Sequence, residues 1–367
     1  MTIAYVANMR LPTEKAHGAQ IMKVCEAFVR AGQDLALYVP TRRNMLTGEP
    51  LSYYGVTTPF PIRYIAVPDT VGWGAVGFVL QSLRFGARAQ RAVPQEALVY
   101  GRDEWALVPF ALGGRRFVWE SHDGRWTWAA RFIARRAARM VVVTQSAKEF
   151  YISKGISAEK IVAVPNGIDT AAFAHHESCA QARERLGLPR REHIALYIGA
   201  LGGWKGTDTL CEASNYLQIA RIAVIGGSPG EVERMRAKYP KVMFVGARPF
   251  RELANNQAAA DVLVVPNSAK NEIAVRFTSP LKLIAHLASG VPIVASDLPS
   301  TREIAGQDAA VLVEPDNPQA LAQAIEKVLA DEGLSARVVA AAKARATQFD
   351  WSVRAQAVLR FIAPVLG

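Results

Sequence analysis

The sequence predicts an α/β protein made of two doubly wound parallel sheets in succession, and three observations carry that expectation. The chain has 367 residues, 50% of them hydrophobic and only 20% charged, which is more apolar material than one ordinary core absorbs. Short β-branched runs alternate with helical patterns from end to end. These runs are apolar throughout, as strands covered on both faces require. Between the two series the pattern breaks at PNGIDTAAF, Pro165 to Phe173, where proline, asparagine and glycine interrupt it.

In the first series the strands are IAYVAN, LALYVP, IRYIAV, ALVYG, FVWESH, MVVVT and IVAVPNG. The second series holds IALYIG, IAVIGG, VMFVGA, VLVVPN, PIVAS and AAVLV. The expected organisation is a first domain over residues 1–168, a second over 169–350, and a last helix over 351–367 that packs back on the first domain. No short-period repeat or low-complexity segment interrupts this order.

Bulk composition narrows the classes of function. Cys25, Cys179 and Cys211 lie far apart without metal-type spacing, and three cysteines cannot pair completely, so a reduced, cytoplasmic compartment without structural zinc is expected. The apolar run from Ile3 to Ala7 is too short for a signal segment, and no stretch approaches the ~18 apolar residues of a membrane span. The net charge is +11, of which residues 1–166 carry +9 (21 Lys and Arg against 12 Asp and Glu). A basic half suits nucleic acid, anionic lipid or phosphorylated substrates. No nucleic-acid-binding motif accompanies it, so nucleic acid is not an expected partner.

In open α/β sheets ligands bind beyond the carboxyl ends of the strands, and several chemistry-bearing residues fall there. GALGGWKG, Gly199 to Gly206, follows IALYI. It is a glycine-rich bend presenting Lys205, but Trp204 stands where a nucleotide-hydrolase loop has glycine and Gly206 where it needs a magnesium-binding hydroxyl. The segment SPLKLIAHLASG begins a helix at Ser279 and Pro280, a serine to cap and a proline for the first helical position. Lys282 then places a cation in the first turn, where the helix dipole favours an anion. Two lysines on separate strand-to-helix loops suit a diphosphate. His122 and Asp123 end FVWESH, and Gly18 opens a helix after IAYVAN with His17 before it. His175 and His176 sit in a linker without a third ligand and read as solvated. No Ser-His-Asp, Cys-His or His-Glu-x-x-His arrangement is present, which leaves nucleophilic or zinc hydrolysis without residues.

Two basic helices are expected in the first half. TVGWGAVGFVLQSLRFGARAQRA puts Trp73, Val76, Leu80 and Leu83 on one face and Arg84, Arg88 and Arg91 on another. RWTWAARFIARRAAR repeats Arg131, Arg135 and Arg139 at helical spacing near Trp126, Trp128 and Phe132. Such mixtures of aromatics and arginines suit an anionic bilayer surface.

The ordered set PTEKAHGAQIMKVCEAFVRAG, VYGRDEW, FVWESHDG, VPNGIDTAAF, YIGALGGWKGTDTL, ADVLVVPN and SPLKLIAHLASGVPIVASDLPSTREI resembles the family 4 glycosyltransferases of the GT-B fold, especially bacterial members that build surface polysaccharides. The resemblance spans nearly the whole chain. It implies two Rossmann-like domains facing across a cleft, the first holding an acceptor and the second a nucleotide. The implied reaction moves a sugar from a nucleotide-sugar to a glycan or lipid-linked acceptor with retention, without an essential metal or other cofactor, at the cytoplasmic membrane face.

By the same resemblance His122 is the catalytic candidate beside the donor sugar. Gly18, Gly202, Lys205, Gly246, Arg248, Ser279, Pro280, Leu281 and Lys282 are donor-binding candidates, and His17, Arg102, Asp103 and Asp123 are acceptor-side candidates. An arginine common after the first glycine of the phosphate loop is replaced by Ala200. Of two glutamates that many members carry with seven residues between them, the register puts Phe277 and Ala285 in their places, so Ala285 stands where the ribose would be gripped. A non-catalytic nucleotide-sugar or glycan-binding protein and a sugar-nucleotide epimerase are the competing readings.

Overall fold

The computed structural model describes residues 2–13, 15–46, 48–174 and 176–366; His175 lies outside them. The chain forms two compact units, Met1–Pro165 with Trp351–Gly367, and Asn166–Asp350. The division falls at Pro165, slightly before the expected break after Ile168.

The first unit runs β1 (Ile3–Val6), α1 (Ala16–Arg30), β2 (Leu35–Pro40), α2 (Pro50–Tyr53), β3 (Ile62–Ile65), α3 (Gly74–Ala92), β4 (Leu98–Gly101), α4 (Glu104–Leu112), β5 (Phe117–Ser121), α5 (Trp128–Arg136), β6 (Arg139–Val142), α6 (Gln145–Ser153) and β7 (Ile161–Ala163). Its sheet has the order β3-β2-β1-β4-β5-β6-β7, and every pairing is parallel. The second unit continues with α7 (Cys179–Leu186), β8 (His193–Ile198), α8 (Thr207–Ala213), β9 (Ala220–Ile225), α9 (Pro229–Lys238), β10 (Met243–Gly246), α10 (Leu253–Gln257), β11 (Val262–Val265), α11 (Leu281–Ala288), β12 (Ile293–Ser296), α12 (Pro299–Ala305), β13 (Val311–Val313), α13 (Pro318–Ala330) and α14 (Glu332–Ala346). Its parallel sheet has the order β10-β9-β8-β11-β12-β13. The chain then returns to the first unit as α15 (Trp351–Leu366).

All thirteen apolar runs are therefore strands, and β1, β4, β5, β11 and β12 are buried along their whole length, because helices cover both faces of each sheet. Strand order reverses beside β1 in the first unit and beside β8 in the second. These switch points open a crevice between diverging loops, which is where an open α/β sheet receives a ligand.

One helical expectation is corrected, the arginine series of α5. The buried face of α3 is Gly77, Gln81, Ser82, Phe85, Gly86 and Ala89, and Trp73 and Val76 are 72% and 78% exposed. Glycine allows this packing: a β-carbon on Gly86 would stand 2.1 Å from the Ala106 carbonyl oxygen of α4, so the two helices meet backbone to backbone there. Arg139 does not continue the arginine series of α5, since that helix stops at Arg136 and Arg139 begins β6.

Candidate functional site

At the switch point of the second unit, the loop leaving β8 is built for close approach. Gly202, Gly203 and Gly206 have φ of 77°, 57° and 67°, a region that disfavours residues with a β-carbon. On Gly206 a β-carbon would also lie 1.7 Å from the Pro266 carbonyl oxygen. The loop is pinned to the end of β11, where the Ser268 N–H donates to the Trp204 carbonyl at 3.0 Å. The Thr207 hydroxyl accepts the Gly202 N–H at 2.8 Å. Lys205 closes a short turn, Gly203–Lys205, with its ammonium 3.4 Å from the centre of the Trp204 ring.

Lys282 comes from the first turn of α11. Its ammonium lies 4.4 Å from the centre of the Tyr197 ring and donates to the Tyr197 hydroxyl at 3.4 Å. No carboxylate pairs with either lysine among the described residues. Burial pushes Lys205 down to about 8. Burial, and then the positive charge of Lys205, pushes Lys282 well below the ordinary lysine range. Two cations held together in this way favour an anion between them.

The start of α11 differs from the expected capping. Helical residues begin at Leu281, with Pro280 as the flanking residue and no side-chain cap. The Ser279 hydroxyl is instead occupied by the backbone N–H of Asn166 at 3.0 Å, and the Asn166 amide donates to the Ser279 carbonyl at 3.0 Å. The serine fixes the approach of the chain and leaves the first helical N–H groups uncapped, a ready anion site. Behind this turn, Ala285 is only 1% exposed and packs among Ile168, Val265, Leu283 and Ile284. Its neighbour His286 is fully buried and takes the Gln257 amide at Nδ1 (2.7 Å). Burial, then the charge of Lys282, pushes that imidazole down to about 3, so it is neutral.

In the first unit the residues collect around Glu120. This carboxylate follows the apolar run Phe117–Trp119 in strand β5 and is fully buried. Oε1 accepts from Gln20 (2.8 Å), His122 Nε2 (2.6 Å) and Arg354 (2.8 Å), while Oε2 accepts from the Tyr100 hydroxyl. Burial alone would raise Glu120, but the Arg354 guanidinium, the His122 bond and Arg102 outweigh it and hold the carboxyl well below its usual range. His122 is pushed down to about 4 by burial and by Arg102, against the opposing pull of Glu120. Arg102 reaches this group through Gln20, donating to its carbonyl at 2.7 Å.

The remaining candidates have local roles. Gly18 lies in the first turn of α1, and a β-carbon there would meet the Tyr54 hydroxyl at 2.3 Å. Asp103 caps α4, accepting the Ala106 N–H at 2.8 Å; burial raises it to about 6. Asp123 pairs with Arg125 at 2.8 Å. His17 is half-buried at the start of α1, and Gly246 and Arg248 follow β10, Arg248 being exposed and bonded to the Ala247 carbonyl (3.0 Å). His176 is exposed, as expected of a solvated residue. Sequence reasoning missed Arg354, Gln20 and Tyr100. The available signal was Glu120 itself, because a carboxylate in an apolar strand needs donors.

Two parallel doubly wound sheets, each with its charged and polar loops at a switch point, define the architecture of GT-B glycosyltransferases. The fold is shared with Anabaena Alr3699/HepE in complex with UDP-glucose, at a TM-score of 0.74 and 18% identity, covering 99% of this chain and 100% of that one. Residues 18–172 match the family model described as Glycosyltransferase Family 4, and residues 192–331 match Glycosyl transferases group 1. The chain is 30% identical over 253 residues to a D-inositol 3-phosphate glycosyltransferase of Xylanimonas cellulosilytica, covering 65% of this chain and 59% of that protein. It is 29% identical over 189 residues to the putative teichuronic acid biosynthesis glycosyltransferase TuaC of Bacillus subtilis, covering 51% and 46%. The matched stretch thus spans about half the length of these curated relatives. The chain belongs to the family 4 glycosyltransferases.

Proposed function

We propose that this protein transfers a sugar, with retention, from a nucleotide-sugar to a glycan or lipid-linked acceptor in the synthesis of bacterial surface polysaccharide. The observation that carries the reading is the pair Lys205 and Lys282, without a carboxylate partner among the described residues, beside the uncapped start of α11. That arrangement suits a diphosphate and supplies the charge to stabilise a leaving nucleoside diphosphate without a metal. Gly202, Ser279, Pro280 and Leu281 shape the backbone around it, and Gly246 and Arg248 are the candidates nearest the base. In the first unit, His122 serves the reacting sugar, with His17, Arg102, Asp103 and Asp123 on the acceptor side. TuaC by its name, and HepE by its complex with UDP-glucose, support a polysaccharide product and a nucleotide-sugar donor.

The acceptor reading includes contact with the cytoplasmic face of an anionic membrane. Trp73 and Trp128, 72% and 64% exposed, stand near the starts of α3 and α5, after β3 and β5. Trp105, Trp128 and Phe132 stack in series, and the Arg136 guanidinium covers Phe132 at 3.9 Å. Aromatic edges beside arginines suit an interfacial surface. No helix among the described residues is long and apolar enough to cross a membrane.

A second reading, a non-catalytic nucleotide-sugar or glycan-binding member, is favoured by one observation: Ala285 offers no acceptor where the family register expects a carboxylate. The experiment that separates the two is nucleoside diphosphate release from UDP- and GDP-sugars with and without a membrane extract as acceptor, repeated in EDTA. Acceptor-dependent release that survives EDTA supports metal-free transfer. Binding without release supports the second reading, and the anomeric configuration of the product tests retention.

A further inference from the structure

We propose that Glu120 and Arg354 are positioning residues for His122, fixing its imidazole as the tautomer that carries its proton on Nε2 and presents the Nδ1 lone pair to the substrate. The proposal rests on the reading that His122 faces the reacting sugar. A carboxylate only accepts, so the 2.6 Å contact between His122 Nε2 and Glu120 Oε1 places the ring proton on Nε2. The ring keeps 15% of its side-chain surface exposed, and Nδ1 has no protein partner among the described residues. A neutral ring held this way accepts a hydrogen bond from a sugar hydroxyl and does not donate one.

Glu120 holds the tautomer only while it is ionised and correctly turned, and the rest of the cluster secures both. Its donors come from α1 (Gln20), β4 (Tyr100), the end of β5 (His122) and α15 (Arg354), so rotation of the carboxylate breaks bonds to several elements at once. Arg354 is the charged member in direct contact. It is itself buried and also donates through Nε to the Pro165 carbonyl at 3.0 Å. The guanidinium is thereby fixed in two directions. The final helix of the chain thus supplies the counter-charge beneath a residue more than two hundred positions earlier. Without Arg354, Glu120 would be a buried, unpaired carboxylate and would take up a proton, becoming a donor able to reverse the imidazole.

The test uses the full-length protein labelled with 15N-histidine. In the unaltered protein the His122 ring should show a protonated Nε2 and an unprotonated Nδ1 from pH 6 to pH 8. Glu120→Gln should mix or reverse the tautomers and lower kcat about tenfold or more, the scale on which partners orienting a functional imidazole act. The KM for donor should change less than kcat. Arg354→Lys keeps the charge and should retain the tautomer, whereas Arg354→Gln should lose it. A proton on Nδ1 in the unaltered protein overturns the proposal. So does a folded Glu120→Gln variant, checked by thermal melting, with unchanged tautomer and turnover. If Glu120→Gln does not fold, the tautomer of the unaltered protein and of Arg354→Lys still decides. The nitrogen spectra need no turnover, so a failed transferase reading and a failed positioning role give different results.

Discussion

A diphosphate seated at Lys205 and Lys282 should bind with uptake of protons. In the ligand-free protein burial holds Lys205 at about 8, and Lys282 lies well below the lysine range through burial and the neighbouring Lys205 charge. An anion between them removes the repulsion and favours both ammonium forms, returning Lys205 toward an ordinary value of about 10.4. The sign follows directly. Binding draws in a proton wherever the complex holds one that the free protein lacks, so affinity falls as pH rises above about 8. For Lys205 alone, a rise from about 8 to about 10.4 means affinity for UDP or GDP about tenfold weaker at pH 9 than at pH 7.

Ligand-free stability moves the other way in the same window. The unfolded chain binds a proton on Lys205 between about 8 and about 10.4 that the folded chain does not, so this residue makes the fold more stable as pH rises. Titration calorimetry in two buffers of different ionisation enthalpy, from pH 7 to pH 9, counts the protons directly. Lys205→Met should reduce the uptake. Nucleotide binding that takes up no protons, or affinity that is flat across that range, would refute the claim that the phosphates sit on these lysines.

Lys205→Ala should weaken nucleoside diphosphate binding by about 1.5–3 kcal/mol, the range for hydrogen bonds to charged groups, which calorimetry would read against the unaltered protein. Gly206→Ala should disturb the phosphate loop, because its φ of 67° and the Pro266 carbonyl leave no space for a methyl group; we expect a loss of about 1–3 kcal/mol in stability, and an unchanged melting temperature would contradict the packing. Vesicles rich in anionic lipid should retain the protein at low salt and release it as salt rises, since exposed charges are screened over ~10 Å at 0.1 M; no co-sedimentation at low salt removes the membrane contact. Ala285→Glu tests the ribose position: it should raise donor affinity about tenfold by adding a charge-assisted bond, at a cost in the melting temperature of the ligand-free protein that donor binding recovers.

That last cost is a correction supplied by the structure. From helical spacing alone, residue 285 shares a face with Lys282, and a glutamate there should leave the fold almost unaffected. In the folded chain the Ala285 methyl is packed in an apolar cluster, so a carboxylate must either displace neighbours or find the Lys282 ammonium one turn away.

The difference between what could and could not be read from the sequence has a physical basis of the same kind. Parallel strands covered on both faces write themselves as unbroken apolar runs, and every one was legible, as were the glycine-rich bend and the misplaced charge of Lys282. The buried face of α3 was not, because it packs largely through glycines and other small or polar residues that hydrophobic periodicity ignores. The end of α5 was hidden because no turn residue separates it from β6. Least legible were the polar contacts made by distant segments. Ser279 reads as a helix cap until Asn166 is seen to occupy its hydroxyl, 113 positions away. Arg354 reads as a surface arginine of the last helix until Glu120 is found opposite, 234 positions away. Yet Glu120 announced half of that pair, since an ionised carboxylate in an apolar strand is tolerable only with donors close by. Its partners had to come from elements adjacent to β5 in space, and a sequence does not order its elements by space. The same reasoning turns Arg354→Ala into a sharper probe than any surface arginine: stranding a buried carboxylate should cost about 3–5 kcal/mol, and a loss below about 1 kcal/mol in urea unfolding would show that Glu120 does not depend on the last helix.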